Sequence, residues 1–242
     1  MGQVRIGTSG WAYKDWRGPF YPQDMPDKAR LEFISRRFPT LEINASFYRM
    51  PTDQAVAAWR NQTPDDFLFA WKASRFITHN RKLQDPVDPL AFMFARIARL
   101  GDKIGPILFQ LPPNLHRNDE RLQTFIAALP EGRRYSIEFR HPGWYADEVL
   151  EMLKARNIAL CISDHHHAPA PWKATADFIY LRGHGPGGRY HGRYGKPVLT
   201  DWAKAITHWR ADRDVFVYFD NDIKSAAPAD ADQLIALLAH SG

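Results

Sequence analysis

Cysteine is almost absent from this sequence, which has one, Cys161, among 242 residues. A single thiol cannot form an internal disulfide, so an apolar core has to hold the fold, and scarce cysteine is typical of a reducing, cytoplasmic compartment. No apolar run approaches the ~18 residues of a membrane span. Residues 1–8 also lack the basic and apolar segments of a signal peptide. We therefore expect a cytoplasmic protein with no membrane partner.

The sequence also lacks several short enzyme signatures and any large excess of one charge. It has no HExxH zinc motif, no Walker-type phosphate loop, no GxSxG turn and no CxxC pair. Its 32 basic and 27 acidic side chains leave a net charge of +5, spread along the chain. A hydrophobic share of 45% excludes a disordered chain. The mild basic balance suits an anionic substrate or nucleic acid, and it proves neither.

Eight short β-rich segments recur along the chain, and helical patterns separate most of them. The segments are Val4–Ser9, Leu41–Ser46, Phe67–Lys72, Ile107–Leu111, Tyr135–Arg140, Ala159–Asp164, Phe178–Arg182 and Val215–Phe219. They begin about 30 residues apart on average, which is the length of one strand, one helix and two loops. Eight such units predict an α/β fold, a TIM-type (β/α)8 barrel, as a single domain over residues 1–242.

Two features qualify this prediction. Pro169 and Pro171 lie between the sixth and seventh strands, so we expect the helix after strand 6 to be short or missing. An open, doubly wound sheet is the alternative architecture. Helix starts are clearer elsewhere, because Thr52 and Asn118 are residue types that cap the N-terminus of a helix.

Charged residues interrupt the apolar strands near their C-terminal ends, where barrel enzymes place their catalytic groups. Glu42, Lys72, Glu138 and Arg182 each have hydrophobic neighbours within a strand. Strand 2 carries polar residues at every second position through Ser46. A buried charge is costly unless it is paired, and such clusters shift pKa values. We expect a functional lumen with Glu42 or Glu138 as general acid or base and Lys72 as electrostatic partner or nucleophile.

A glycine-rich segment follows strand 7. Residues 182–195 contain six glycines, which let the backbone approach a ligand closely. Arginine side chains supply forks for an anion, so Arg182, Arg189 and Arg193 are predicted to bind one. Tyr190 and Tyr194 offer ring surfaces, although the segment could instead be a plain surface loop.

Further polar residues at the strand ends complete the candidate site. Asp164, which ends strand 6, is the fourth candidate catalytic residue, after Glu42, Lys72 and Glu138. The remaining predicted substrate-binding residues are Tyr48, Gln110, Arg140, His141, His184 and Asn221.

A metal site is an open alternative. His165, His166 and His167 are consecutive and could bind a metal, but three histidines on a solvated loop are the more ordinary interpretation. Glu42, Glu138, Asp164 and His184 would be a better set for a divalent ion. The leading interpretation requires no cofactor, and whether a metal is bound stays open.

Six sequence motifs resemble those of one known family. They are GTSGW with its following aromatics at 7–22, LEINASFYRMP at 41–51, the segment 59–79, FQLPP at 109–113, EFRHPGW at 138–144, and YLRGHG with YHGRYG at 180–195. With these motifs the chain resembles the YecE-like family (domain of unknown function 72) over nearly its full length. The resemblance implies a TIM-type barrel and no particular reaction. The chain departs from the family at Asp220, where an asparagine is usual, and this puts a role for position 220 in doubt.

Three functions follow from these observations. The leading one is an enzyme that uses acid–base chemistry on a small anionic substrate, such as a phosphorylated sugar. The second is a divalent-metal-dependent enzyme resembling a phosphodiesterase, endonuclease or isomerase, which rests on analogy of fold alone. The third is a non-catalytic protein that binds nucleic acid or another partner, for which arginines should form a stripe outside the barrel mouth.

Overall fold

Each of the eight predicted β-segments forms a strand in the computed structural model, which describes residues 1–240. The strands are β1 Val4–Thr8, β2 Thr40–Ile43, β3 Leu68–Lys72, β4 Ile104–Gln110, β5 Tyr135–Glu138, β6 Ile158–Ser163, β7 Phe178–Gly183 and β8 Asp214–Phe219. All pair in parallel in the order β1-β8-β7-β6-β5-β4-β3-β2. Each strand therefore neighbours the next one in sequence, as in a TIM-type barrel and unlike a doubly wound sheet. Residues 241 and 242 of the predicted domain lie outside the described part.

The barrel is nearly closed where β1 meets β2. The backbone N–H of Gly10 donates to the carbonyl of Glu42 at 2.8 Å, and Ser9 forms a parallel bridge with Glu42. A Cβ at Gly7 would lie 1.9 Å from the carbonyl oxygen of Thr40. Only glycine therefore allows β1 and β2 to approach this closely.

Helices cover the outside of the barrel. They are α1 Arg30–Ser35, α2 Ala45–Tyr48, α3 Asp53–Asn61, α4 Val87–Ile97, α5 Asp119–Ala127, α6 Asp147–Ala155, α7 Lys196–Trp209 and α8 Ala226–Ala239. Short 3-10 turns occur at Lys14–Trp16, Asp27–Ala29, Ala98–Lys103, Pro142–Trp144 and Ile223–Ser225, and a π-turn at Phe76–Asn80. None of these helices is both long and apolar enough to cross a membrane.

The structure contains both predicted helix caps, and it also has the predicted segment without a helix after β6. The side chain of Thr52 accepts a hydrogen bond from the N–H of Ala55, and that of Asn118 accepts one from Arg121. No helix separates β6 from β7 within the described chain. Trp172 covers this side of the barrel instead, stacking on Trp209 with ring centroids 5.5 Å apart.

Strand 2 is shorter than predicted. It ends at Ile43, and Asn44 is already in the right-handed helical region, so residues 45–48 form α2. The Oγ of Ser46 donates to the carbonyls of Ile43 and Lys72 at 2.8 and 2.6 Å. The polar alternation therefore stops after Glu42, and Asn44 and Ser46 are not strand residues.

The inside of the barrel has an apolar layer below a polar one. Ala70, Leu108, Cys161, Tyr180 and Tyr218 belong to a buried cluster separate from the main core. Two residues further along each of their strands, toward the C-terminal end, come Lys72, Gln110, Ser163, Arg182 and Asp220. Side chains two apart face the same side of a strand, so these polar residues point into the upper lumen.

Candidate active site

Arg182 lies at the centre of the polar layer and contacts three carboxylates. Its guanidinium nitrogens lie 2.7 Å from Glu42 Oε1, 2.9 Å from Glu138 Oε2 and 2.9 Å from Asp220 Oδ2. The arginine and both glutamates have no solvent exposure. The sequence thus brings together three charged strand residues, as predicted, and adds Asp220 to them.

Further donors hold the two glutamates in place. Glu42 accepts from the hydroxyl of Tyr180 at 2.6 Å and from the hydroxyl of Ser9. Glu138 accepts from Arg140 Nε at 2.5 Å and from the hydroxyl of Ser163 at 3.1 Å. Both carboxylates are therefore saturated with protein donors below the floor of the mouth.

The charge state of this layer follows from its contacts. Burial by itself raises the pKa of Glu138, but Arg140 and Arg182 outweigh it and hold that pKa well below its usual range. Burial likewise opposes the charge of Arg182, and the three carboxylates hold its pKa well above the ordinary value. Glu138 is thus a poor proton acceptor, because its lone pairs already bind two guanidinium groups.

His184 is neutral and its tautomer is set by its neighbours. Its Nε2 lies 3.1 Å from nitrogens of both Arg140 and Arg182, which can only donate. Its Nδ1 lies 3.2 Å from Asp164 Oδ1 and is therefore the protonated nitrogen. Burial, followed by the arginine charges, holds the pKa of His184 well below its normal value.

Asp164 supports the glycine-rich segment from below. It accepts the backbone N–H of His184 at 2.7 Å and the hydroxyl of Tyr194. The same tyrosine oxygen accepts the N–H of Gly185 at 2.7 Å. Burial raises the pKa of Asp164 to about 6, against the effect of these hydrogen bonds. Asp164 and Tyr194 therefore fix the loop and do not line the cavity described next.

A cavity of about 660 Å³ opens above the polar layer at the C-terminal ends of the strands. It is lined by Tyr13, Asn44, Phe47, Tyr48, Lys72, His79, Gln110, Pro113, Arg140, His165, His166, His167, Tyr190, Asp220 and Asp222. Of the predicted residues, Tyr48, Lys72, Gln110, Arg140 and Tyr190 reach it, whereas Glu42, Glu138, Arg182 and His184 form the layer beneath.

Lys72 is the cation of this cavity with the fewest partners. Its Nζ donates to Asn44 Oδ1 at 3.1 Å and lies 4.4 Å from the ring centroid of Phe47. Within residues 1–240 no carboxylate oxygen lies within 4.0 Å of it. Burial, together with the charge of Arg182, lowers the pKa of Lys72 to about 8. An ammonium so placed keeps donors free for a ligand.

Two aspartates face the same cavity. Burial raises the pKa of Asp220, although Arg182 and Lys72 oppose the shift. Burial and the charge of Asp220 together raise the pKa of Asp222 to about 6. The two aspartates therefore bind protons more readily than Glu138 does, whose pKa is held well below its usual range.

Tyr190 enters the cavity from the glycine-rich segment with a φ of +67°. A tyrosine rarely adopts this left-handed conformation, and such strain concentrates at functional sites. The conformation directs the hydroxyl to Arg140, whose Nη1 donates to it at 2.8 Å. The ring also contacts the edge of His184, with centroids 5.1 Å apart.

Besides Arg182, His184 and Tyr194, four predicted binding residues lie outside the cavity lining. Arg189 is exposed, and Arg193 approaches Asp230 of α8 at 3.5 Å. Asn221 donates to the carbonyl of Gly192 and to Asp230, both at 2.7 Å. His141 packs its ring 4.4 Å from that of His116. Arg193 and Asn221 thus attach the glycine-rich segment to α8.

Apart from the three consecutive histidines, seven cavity residues were not predicted as site residues: Tyr13, Asn44, Phe47, His79, Pro113, Asp220 and Asp222. Asn44 follows β2, and Asp220 and Asp222 follow β8. Their polar side chains at the ends of these strands were the sequence signal that could have identified them as site residues. His79 lies on the π-turn, and nothing local in the sequence indicates that this turn folds over the mouth. His165, His166 and His167 do line the cavity, and burial lowers the pKa of His165 to about 3.

The candidate metal ligands lie near one another but are not arranged to hold a metal ion. Among residues 1–240 no three His, Cys, Asp or Glu side chains are grouped so that they could hold a metal ion. Arg182 occupies the position between Glu42 and Glu138, so a divalent ion there would compete with a guanidinium. The residues present do not fit a metal at these glutamates.

The fold and the cavity define a TIM-type barrel protein with an ionic layer beneath a polar mouth. The sequence matches the family described as "Protein of unknown function DUF72" over residues 5–242. The chain belongs to the DUF72 family, which is the YecE-like family that its motifs resemble.

Relatives agree with this assignment. The chain is 26% identical to UPF0759 protein YunF of Bacillus subtilis, covering 97% of this chain and 94% of that protein. It is 34% identical to UPF0759 protein YecE of Escherichia coli over 64% of this chain, spanning 55% of that protein.

Solved structures share the fold. A DUF72 family protein of Thermotoga maritima superposes with a TM-score of 0.90 at 24% identity, covering 98% of this chain and 99% of that one. A D-psicose 3-epimerase of Clostridium cellulolyticum, solved with D-tagatose, superposes with a TM-score of 0.58 at 12% identity, covering 98% of each chain. These structural likenesses establish the barrel and carry no statement about the reaction.

Proposed function

We propose that this protein is an enzyme that binds a small anionic substrate in the mouth cavity and acts on it by proton transfer. The observation that carries the proposal is Lys72, a buried ammonium at a polar cavity that has no carboxylate of residues 1–240 within 4.0 Å. A buried cation without a carboxylate partner is costly, and a bound anion would remove that cost. The size of the cavity, about 660 Å³, is that of a small-molecule site.

The acid and base of this proposal differ from those expected from the sequence. Glu42 and Glu138 are saturated by arginine and hydroxyl donors, so their role is to hold Arg182 and Arg140. Lys72, with a pKa of about 8, is mostly protonated at neutral pH and can donate a proton. Asp220 uses Oδ2 for Arg182 and faces the cavity, so it is the proposed base. Arg140, Gln110 and Tyr190 would orient the substrate.

The metal-dependent alternative has less support. Its ligand set was Glu42, Glu138, Asp164 and His184, and the first two pair with arginines. Asp164 is held by Tyr194, and the Nε2 of His184 accepts from two arginines. None of these four side chains lines the cavity.

A ligand screen tests the proposal. The protein would be heated with phosphorylated sugars, hydroxy acids and neutral sugars, and the shift in melting temperature recorded. Stabilising compounds would then be incubated in D2O, and deuterium uptake at substrate carbon followed by NMR. We expect anionic compounds to stabilise the protein and at least one to exchange.

Matched variants locate the activity. Lys72→Met and Asp220→Asn should abolish exchange, while Lys204→Met, at an exposed lysine of α7, should leave it unchanged. Stabilisation that is equal in the wild type and Lys72→Met would contradict the proposed site.

A further inference from the structure

A second cavity adjoins the mouth and has a different character. It measures about 230 Å³ and shares Tyr13, Asn44 and Tyr48 with the mouth cavity. The rest of its lining comes from residues 10–12 and Ala45. Because its walls are mainly rings and small apolar groups and none of its lining residues is charged, it suits an apolar or flat cyclic group better than an anion.

The shared wall connects this cavity to Lys72 through a short series of contacts. Lys72 lies over the ring of Phe47, whose edge contacts Tyr48 at a centroid separation of 5.1 Å. Asn44 binds the Lys72 ammonium and also lines both cavities. One molecule can therefore place an anionic group at Lys72 and a ring on the far side of Asn44.

The aromatic walls are held in place before any ligand arrives. Tyr13 donates its hydroxyl to the carbonyl of Ser9 at 2.7 Å. Trp11 contacts the edge of Trp59 with centroids 5.4 Å apart. Gly10 has a φ of +83°, and a Cβ there would lie 2.8 Å from the Tyr13 hydroxyl oxygen. The pocket is thus preformed, which lowers the entropy cost of binding.

Tyr48 differs from the other aromatic walls of the smaller cavity, since 67% of its surface is exposed to solvent. Covering an exposed aromatic side chain removes apolar surface from water and so contributes favourably to the binding of whatever covers it. A ring seated in the smaller cavity would cover it.

We propose that the smaller cavity is the subsite for an aromatic or flat cyclic arm of the substrate, whose anionic group binds at Lys72. The inference rests on the proposed anion site and adds the second half of the ligand. The preferred substrate class is accordingly an anion joined by a short linker to a ring.

Matched phosphate esters test this subsite by titration calorimetry. Methyl phosphate supplies the anionic group alone, while phenyl and benzyl phosphate add a ring at two linker lengths. We expect one of the two aromatic esters to bind about tenfold more tightly than methyl phosphate, which is the gain of one good ring contact with its buried area.

Variants separate the two halves of the ligand. Ala45→Leu, which fills the smaller cavity only, should abolish the tenfold gain and leave methyl phosphate binding unchanged. Tyr48→Ala, which removes a wall shared by both cavities, should also abolish the gain. Phe92→Ala, at an exposed aromatic residue of α4 outside both cavities, should retain the gain. Lys72→Met should weaken all three esters.

The outcomes distinguish the two proposals. Equal affinity of all three esters, or a ring gain that survives both Ala45→Leu and Tyr48→Ala, would overturn the aromatic subsite and leave the anion site standing. No binding of any ester at millimolar concentration would overturn both.

Discussion

Arg182 donates from Nη1 to Glu138 Oε2 at 2.9 Å, and neither side chain is exposed to solvent. Glu138 is the last residue of β5 and Arg182 lies near the end of β7, so two strands separated by β6 bring these side chains together. Their pairing makes a carboxylate that was expected to be catalytic and an arginine that was expected to bind an anion part of the layer beneath the cavity. The same pairing makes the stability of the barrel depend on charges in its interior.

Replacing Arg182 should destabilise the protein strongly. Arg182→Met removes the cation that three buried carboxylates share, and an uncompensated buried charge costs about 3–5 kcal/mol. The free energy of unfolding in urea measures this loss. Arg36→Ala is the control, since Arg36 pairs with Glu32 on the surface and such pairs contribute less than about 1 kcal/mol. Similar losses in both variants would contradict a central role for Arg182.

Glu138 should make the protein sensitive to acid. Its pKa in the folded protein lies well below the value of 4.5 in an unfolded chain. Its contribution to stability is therefore complete above about pH 4.5 and is lost as the pH falls toward the folded pKa. The unfolding free energy measured between neutral and acidic pH should show this decline.

Glu138→Gln should lower the unfolding free energy at neutral pH and flatten its decline in acid. The variant leaves Arg140 without its carboxylate partner, so we expect a loss of about 3 kcal/mol. A decline in acid as steep as that of the wild type would exclude Glu138 as its source.

Binding of a non-titrating anion should report the charge of Lys72. Sulfate keeps its charge across neutral and alkaline pH, so any change in its affinity arises from the protein. Because the pKa of Lys72 is about 8, affinity should fall as the pH rises through that value. Lys72→Met should bind sulfate weakly at every pH, and a pH profile that Lys72→Met shares with the wild type would refute the prediction.

Gly7 should tolerate no side chain. A Cβ there would lie 1.9 Å from the Thr40 carbonyl oxygen, so Gly7→Ala must separate β1 from β2. We expect a loss of about 2–4 kcal/mol of unfolding free energy or failure to fold. Gly195→Ala is a matched control, since the nearest atom to its Cβ would be 3.7 Å away, and it should change stability little.

The strand count, the strand order of a barrel and the missing helix between β6 and β7 were all predictable, because they follow from local patterns repeated eight times. The end of β2 was not predictable. Residues 44–48 could continue the strand or form a helical turn, and the hydrogen bonds of Ser46 favour the turn. Those bonds reach across to β3, which no local pattern reveals.

The candidate site was predictable as a set and less so residue by residue. Strand alternation identified Glu42, Lys72, Glu138 and Arg182 as neighbours. It could not show which carboxylates would be saturated by arginines and which would face the cavity, because that depends on three-dimensional pairing. Asp220 illustrates the difference: its departure from the family pattern placed its role in doubt, yet it binds Arg182 and faces the mouth.

The polar layer contains three acidic and three basic side chains, namely Glu42, Glu138, Asp220, Lys72, Arg140 and Arg182. Their formal charges cancel, so the net charge of +5 resides elsewhere in the chain. The attraction of an anion from a distance therefore depends on solvent-exposed charges, which salt screens over about 10 Å at 0.1 M. The rate of capture should fall as ionic strength rises, while the rate of release, governed by the buried layer, should change little.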